Sequence, residues 1–220
     1  MISIYLGIIK LMNKQDLIDF EKSIAEEYET GSIYAPIHLR DGNEDKLIDI
    51  FRYITPNDYV FSTWASHLHA LLKGVPPELV KSAIRDGNSI TLHFPTHRFY
   101  TSAIVGGICP IATGVAWGLK QRDSRGKVYC FIGDMAVQSG IASESIRYSI
   151  AWDLPIIWVI EDNGVSVGTP TKETWGIESS KAMLGLSQSY KEEEVSNCQI
   201  WYYTYKSSYP HAGTGTFVEF

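Results

Sequence analysis

The sequence is poor in cysteine, and its few cysteines are not arranged for chemistry. Cys109, Cys130 and Cys198 are the only three in 220 residues, an odd number without the spacing of metal ligands. This pattern argues against a disulfide framework and against a cysteine zinc site. The apolar start, residues 1–12, is too short to span a bilayer and has neither the basic amino-terminal region nor the small-residue cleavage site of a leader peptide. We therefore expect a cytoplasmic protein without a membrane partner.

Positive charge is also in deficit. Lysine and arginine number 19 against 25 aspartates and glutamates, which gives a formal charge of −6. Nucleic acid is therefore not an expected partner, because binding a phosphate backbone takes a basic surface. An anionic small ligand would have to be captured by local groups rather than by overall charge. With 45% hydrophobic and 20% charged residues, the composition is that of a globular protein with one sizeable core.

Two buried strands with a helix between them are the clearest structural signal. Lys127 to Ile132 (KVYCFI) and Pro155 to Glu161 (PIIWVIE) have the continuous apolar pattern of buried strands, and Gly140 to Trp152 is predicted as the helix between them. Strands joined by such a crossover are parallel. The predicted fold class is therefore α/β, with a parallel sheet flanked by helices. The length suits a single domain over residues 1–220, with a helical appendage at about residues 1–55.

Weaker patterns predict the remaining elements. An Asn13 cap with Asp16 predicts a helix that ends at Gly31. The residues from 86 to 102 are rich in turn formers and aromatics, and we interpret them as an ordered loop that faces a ligand. Gly114 and Gly118 share a helix face that suits close packing within the chain or across a subunit boundary. Further helices are predicted at 44–53, 67–73, after Pro76 and Pro77, and at 111–120, and further strands at 60–64 and 200–205.

A Gly-Asp pair and an asparagine follow the two buried strands. Gly133 and Asp134 stand at the carboxyl end of the first strand, and Asn163 at that of the second. Ligands of open α/β sheets bind at this edge, and the amino end of the helix after Gly133 favours a phosphate there. A carboxylate and an amide oxygen are ligands that suit Mg²⁺, which also takes phosphate oxygens. Aspartate alone also commonly forms turns at strand ends, but with Asn163 nearby a magnesium-diphosphate site is favoured.

These residues carry a resemblance to a known family. The run GDMAVQSGIASESIRYSIAWDLPIIWVIEDNGVSVGTPT resembles the thiamine-diphosphate motif in alpha subunits of 2-oxo acid dehydrogenases, the decarboxylating first component. The similarity extends through FYTSAIVGGICPIATGVAWGLK, IYAPIHLRDGNE, WASHLHALLKG and TYKSSYPHAG, although the usual subunits are longer. It implies a thiamine-diphosphate-binding fold, with thiamine diphosphate and Mg²⁺ as cofactors.

The resemblance also implies roles for individual residues. Asp134 and Asn163 would bind Mg²⁺ through side chains, and Val165 through its carbonyl. The backbone that meets the diphosphate would come from Gly133, Met135 and Ala136. The residues expected near the rest of the cofactor are Ala103, Val105 and Trp64.

Four histidines match places where the family has active-site histidines. Imidazole suits the chemistry because its ordinary pKa allows proton transfer near neutral pH. In order of preference these candidates are His211, His67, His38 and His93. His69 and His97 are interpreted as structural.

Two positions depart from the family pattern. Met135 replaces a glycine and would be strained if its φ were positive. A Tyr-Arg pair is Trp64-Ala65 here, so the arginine expected to pair with the diphosphate is absent, which removes a charge-assisted hydrogen bond of about 1.5–3 kcal/mol. Lys73 and Arg98 are the candidate replacements. Kinase regulation is not expected, because the phosphorylatable loop region of the longer subunits is missing.

The function implied is that of one subunit of a two-chain enzyme. A beta-type subunit would carry the pyrimidine-binding domain and its activating glutamate, in an α₂β₂ heterotetramer. Together the chains would decarboxylate a 2-oxo acid such as pyruvate and pass the aldehyde unit to an acceptor. One alternative is the amino-terminal half of a split transketolase that acts on ketoses. Another is a degenerate, non-catalytic partner subunit.

Overall fold

The computed structural model describes residues 12–176 and 197–218, so most of the apolar start lies outside the described residues. The helices are α1 Lys14–Glu29, α2 Glu44–Phe51, α3 His67–Leu72, α4 Pro77–Ala83, α5 Ile108–Gln121, α6 Gly140–Ala151 and α7 Thr171–Trp175. The strands are β1 Tyr59–Ser62, β2 His93–Phe94, β3 Phe99–Thr101, β4 Val128–Gly133, β5 Ile156–Asp162, β6 Val165–Ser166, β7 Thr169–Pro170 and β8 Gln199–Thr204. Nowhere in these two stretches is a helix long and apolar enough to cross a membrane.

The main sheet has six strands in the order β2-β3-β1-β4-β5-β8. Every pairing is parallel except that of β2 with β3. Alternate residues of β4 enter two hydrophobic clusters: Tyr129 and Phe131 pack with the helices α1 to α4, and Cys130 and Ile132 with α5 and α6. Both faces of the sheet are thus buried, which explains the continuous apolar runs of its central strands. The predicted fold class is confirmed.

The amino-terminal helices share the core of the sheet. α1 begins with a capping box, in which Asn13 accepts from the Asp16 N–H and Asp16 accepts from the Asn13 N–H, each at 3.0 Å. Its apolar face, with Leu17 and Phe20, belongs to the cluster that contains Phe131. The described part of the expected appendage is therefore packed on the sheet.

The predicted ligand-facing loop is the edge of the sheet instead. Residues 86–102 form short helical turns and then the β2–β3 hairpin, with Val60 of β1 opposite Phe99 of β3. Leu92 and Phe99 are fully buried, and this burial holds the segment on the sheet. On α5, a Cβ added at Gly114 or Gly118 would meet no atom within 4 Å, so their face is open in this chain.

Two distant segments are joined above the carboxyl edge of the sheet. The Gly213 N–H donates to the Ile37 carbonyl at 2.9 Å. Asp41 accepts from the Ser207 hydroxyl and from the Ser208 N–H, each at 2.7 Å. Gly42 has a φ of +79°, and a Cβ there would lie 2.1 Å from the Lys206 carbonyl oxygen. Only glycine fits this close approach.

Replacing Gly42 by alanine is expected to destabilise the fold. The left-handed backbone costs a non-glycine residue about 1–2 kcal/mol, and the clash with the Lys206 carbonyl adds to this. Gly114→Ala is the matched control, because its Cβ meets open space and its helical backbone is expected to gain up to ~1 kcal/mol. Urea unfolding followed by circular dichroism measures both. Equal stability of the two variants would show that glycine is not required at position 42.

Candidate functional site

A cavity of about 520 Å³ opens at the carboxyl edge of the parallel strands. This is the edge where ligands of open α/β sheets bind. It is lined by residues that follow β1, β3, β4, β5 and β8, and by the segment before α2. The lining includes His38 to Arg40, Thr63 to Ala65, Ser102, Ile104, Val105, Gly133 to Ala136, Glu161, Asn163, Val165 to Gly168, Lys206, Ser207, and Tyr209 to His211.

The predicted magnesium ligands Asp134, Asn163 and Val165 all line this cavity. They meet because Gly133 pairs with Glu161, so β4 and β5 end side by side. Asp134 is buried and accepts a hydrogen bond from the Thr171 hydroxyl. Burial raises the pKa of the Asp134 carboxyl, and the Thr171 hydrogen bond opposes that rise. The Asn163 amide oxygen accepts from the Val165 N–H at 3.2 Å.

The turn after β4 accommodates Met135 without strain. Its φ of −74° and ψ of −38° are right-handed helical values. The thioether accepts a hydrogen bond from the Trp175 indole N–H at 2.9 Å. A 3₁₀ turn, Ala136–Gln138, separates Asp134 from α6. We expected the amino end of the helix after Gly133 to face the phosphate. Instead, the turn from Gly133 to Ala136 lines the cavity at this point, and the amino end of α6 does not.

Two of the four candidate histidines line the cavity. His38 donates from Nδ1 to the His211 carbonyl, and the two rings lie 4.5 Å apart. Trp64 lies 5.1 Å from each ring, centroid to centroid, and its indole N–H donates to the Ala103 carbonyl at 2.7 Å. Of the three residues expected near the rest of the cofactor, Trp64 and Val105 line the cavity, whereas Ala103 does not line it and accepts the Trp64 hydrogen bond.

The other two histidines are placed elsewhere. His67 is fully buried, with Nδ1 3.0 Å from Glu21 Oε2 and Nε2 2.9 Å from Ser89 Oγ. His93 is exposed on the edge strand β2, against the ring of Tyr100. Neither lines the cavity, so the structure does not bring them to the predicted site.

Burial holds both cavity histidines in their neutral form. It lowers the pKa of His38 to about 4, although the hydrogen bond to the His211 carbonyl opposes the change. It also lowers the pKa of His211, and the nearby charge of Arg40 adds to this. Because Nδ1 of His38 must carry a proton to donate to a carbonyl, Nε2 is the unprotonated nitrogen of the neutral ring.

Glu161, a buried carboxylate that is not among the predicted site residues, also lines the cavity. Glu161 Oε1 accepts from the Tyr203 hydroxyl and lies 3.2 Å from His69 Nε2. His69 Nδ1 lies 2.7 Å from the Ser62 hydroxyl, which fits the structural role expected of it. Burial raises the pKa of Glu161, but His69, the charge of Arg40 and the Tyr203 hydrogen bond together lower it below its ordinary value. The sequence does contain one indication of this role, since Glu161 stands at the end of a predicted strand, two residues before Asn163.

The cations expected to replace the missing arginine are not at the cavity. Lys73 donates to the Thr55 carbonyl at 2.7 Å, and Arg98 donates to the Asn57 carbonyl. Both acceptors precede β1, at the opposite edge of the sheet from the cavity. That expectation is wrong, and the cations that do line the cavity are Arg40 and Lys206.

Comparison with known proteins places the chain in a family. The family model for the dehydrogenase E1 component matches residues 12–184. Pyruvate dehydrogenase E1 component subunit alpha of Porphyra purpurea is 30% identical over 167 residues, which are 68% of this chain and 48% of the relative. The protein of the same name from Zymomonas mobilis is 31% identical over 180 residues, 77% of this chain and 49% of the relative. The chloroplastic pyruvate dehydrogenase E1 component subunit alpha-3 of Arabidopsis thaliana is 30% identical over 189 residues, which are 76% of this chain and 44% of the relative.

The chain thus spans about half the length of the curated relatives it matches. The matched residues contain β4, β5 and the turns that carry Asp134 and Asn163, whereas Lys206 and His211 lie beyond the match. The resemblance seen in the sequence is confirmed, and the split-transketolase alternative is not favoured. The chain belongs to the dehydrogenase E1 component family, whose members depend in general on thiamine diphosphate.

Proposed function

We propose that this chain is the alpha-type subunit of a two-chain enzyme that decarboxylates a pyruvate-like 2-oxo acid. It holds the Mg²⁺-diphosphate end of thiamine diphosphate, and with a beta-type subunit it passes the aldehyde unit to an acceptor. The observation that carries the proposal is the meeting of Asp134, Asn163 and Val165 in one cavity, inside the segment that matches the family.

The donor set fits magnesium together with a diphosphate. Asp134 offers a carboxylate, Asn163 an amide oxygen and Val165 a carbonyl, all of them the oxygen ligands that Mg²⁺ takes. Over residues 12–176 and 197–218, no three His, Cys, Asp or Glu side chains gather into a metal cluster. Phosphate oxygens and water would therefore complete the coordination. The turn at Met135 and Ala136 would supply backbone N–H groups to the diphosphate.

Proton transfer is assigned to the two cavity histidines. When bound, thiamine diphosphate supplies the electron sink for loss of CO₂ from the 2-oxo acid. His38 is neutral near pH 7, and its Nε2 is able to accept a proton. The His211 carbonyl holds the His38 ring in this tautomer, and Trp64 packs against both rings. His38 and His211 are thus the candidate acid–base residues of this chain.

A partner subunit is supported by the surface beside the cavity. Ile104 and Val105 line the cavity and are exposed, and Ile111 on α5 and Ile141 on α6 add exposed apolar area. Apolar patches next to a binding site are typical of interfaces. We assign this face to the beta-type subunit, which would bring the glutamate that activates the pyrimidine. The α₂β₂ arrangement and the cytoplasmic location are parts of the same proposal.

The degenerate, non-catalytic alternative rests on two departures from the family pattern. The helical backbone of Met135 removes the first, because no glycine is needed there. Ala65 in place of an arginine is the second. Binding and turnover together decide between the two functions, because a degenerate subunit would bind the cofactor without consuming a 2-oxo acid.

Removing the Asp134 charge is expected to abolish cofactor binding. The chain, co-expressed with its beta-type partner, is titrated with thiamine diphosphate and Mg²⁺ in a calorimeter. Asp134→Asn should lower the cofactor affinity at least ~100-fold, because mutating a residue that merely supports a metal ligand already lowers metal affinity about 10–100-fold. Asp49→Asn, at an exposed salt bridge with Arg52, is the matched control. Unchanged affinity in Asp134→Asn would show that the metal-site proposal is wrong. Binding without turnover of any 2-oxo acid would favour the degenerate subunit.

The buried His38 is expected to make stability depend on pH. Its pKa is about 4 in the folded chain against an ordinary 6.5, so the unfolded chain binds more protons between these values. Stability is therefore complete above about pH 6.5 and falls as the pH drops toward 4. The loss is roughly 2 kcal/mol, after allowance for solvent screening. Thermal melts of wild type and His38→Gln between pH 4 and 7.5 measure it. A variant with an undiminished pH slope would refute the assignment.

A further inference from the structure

Two cations line the cavity, and neither forms a salt bridge with a carboxylate in the part of the chain that the structure describes. They are Arg40 and Lys206. The chain as a whole carries a formal charge of −6, so positive charge inside the cavity is a local feature. Such a feature captures an anion that the overall charge would repel.

The fold brings these two side chains to one wall although they lie far apart in the sequence. Asp41 follows Arg40, and its carboxylate accepts from Ser207 and Ser208, which follow Lys206. Gly42 lies against the Lys206 carbonyl, where a Cβ would clash. Because the Asp41 carboxylate, next to Arg40, is bound to the two residues that follow Lys206, the fold itself brings the two cations together.

A contact with an aromatic ring also orients the Arg40 side chain. Its guanidinium lies over the ring of Tyr205, 5.4 Å from the ring centroid. The Tyr205 N–H donates to the Asp162 carbonyl at 3.0 Å, which places the Tyr205 backbone beside the residue that precedes Asn163. Arg40 therefore contacts the residue that joins the end of β8 to the end of β5.

We propose that Arg40, assisted by Lys206, binds the diphosphate and takes the place of the arginine that is replaced by Ala65. The proposal rests on the proposed function, since it concerns the same cofactor. A guanidinium suits this role because its fixed fork of N–H donors matches phosphate oxygens in pairs. Lysine adds a point charge at the rim. The 2-oxo acid carboxylate is another candidate anion, but Arg40 contacts Tyr205, which is hydrogen-bonded to the residue before the cavity-lining Asn163, and this contact favours the diphosphate.

The test measures binding of the diphosphate group separately from binding of the whole cofactor. The chain co-expressed with its beta-type partner is titrated by calorimetry with Mg²⁺-thiamine diphosphate and, separately, with Mg²⁺ and inorganic diphosphate. Arg40→Gln is expected to weaken both by about tenfold or more, the range of one lost charge-assisted hydrogen bond. Lys206→Gln should have a smaller effect, and Arg40→Lys should recover part of the loss. Arg52→Gln, an exposed arginine outside the cavity, is the matched control.

Each other outcome has a definite meaning. If Arg40→Gln leaves both affinities unchanged while Asp134→Asn abolishes binding, this proposal is wrong and the proposed function stands. The same holds if Arg40→Gln raises only the KM for the 2-oxo acid, because Arg40 then binds the carboxylate. If wild type binds neither probe, the proposed function fails and this inference fails with it. Circular dichroism melts check folding, and equal losses in Arg40→Lys and Arg40→Gln would also overturn the proposal.

Discussion

The parallel pairing of β4 with β5 is the constraint on which the candidate site depends. The strands are in register from Val128 opposite Ile156 to Gly133 opposite Glu161, so they end at the same level. Their side chains are buried on both faces, which ties this register to the two hydrophobic clusters. A register slip by one residue would exchange the faces of a whole strand. Asp134 and Asn163 meet because such a slip is prevented.

A second layer of contacts closes the cavity from above. The segment before α2 crosses the carboxyl edge and is bound to the segment after β8 by backbone and side-chain hydrogen bonds. These contacts place His38 against His211 and carry Arg40 toward Tyr205. The cavity thus has a floor built from strand ends and a wall built from two segments that are distant in the sequence. The floor provides the proposed metal ligands, and the wall provides imidazoles and cations.

Buried polar groups join these two layers. Glu161 lies in the floor, and its carboxylate takes hydrogen bonds from Tyr203 of β8 and from His69 of α3. The Asn43 amide, just before α2, donates to the Tyr203 hydroxyl at 3.1 Å. Buried charges are tolerated when they are paired and hydrogen-bonded, and such networks make a site rigid. The wall is therefore anchored to the floor through Glu161.

Much of the fold could be predicted because it depends on local patterns. The apolar runs predicted β4 and β5 to within one residue, and the helix between them was predicted from Gly140, where α6 begins. The hairpin at residues 93–101 was missed because its strands are short and because β3 is held in the sheet by its pairing with the distant β1. The 3₁₀ turn after Asp134 was missed for a similar reason, since its few residues carry no periodic signal.

The candidate site divides in the same way. The sequence alone determined the Gly-Asp and Asn positions, because strand ends that follow one crossover must lie at one edge of the sheet. Only the tertiary structure decided which histidines and which cations reach that edge. His67 matches a histidine of the family pattern, yet it lies in the core. Lys73 carries the positive charge expected near the diphosphate, yet it lies at the opposite edge of the sheet. Arg40, Lys206 and His211 come together through contacts between segments more than 160 residues apart, as in the pair Asp41 and Ser207, separated by 166. No local pattern encodes such contacts, because they form only when the whole sheet is assembled.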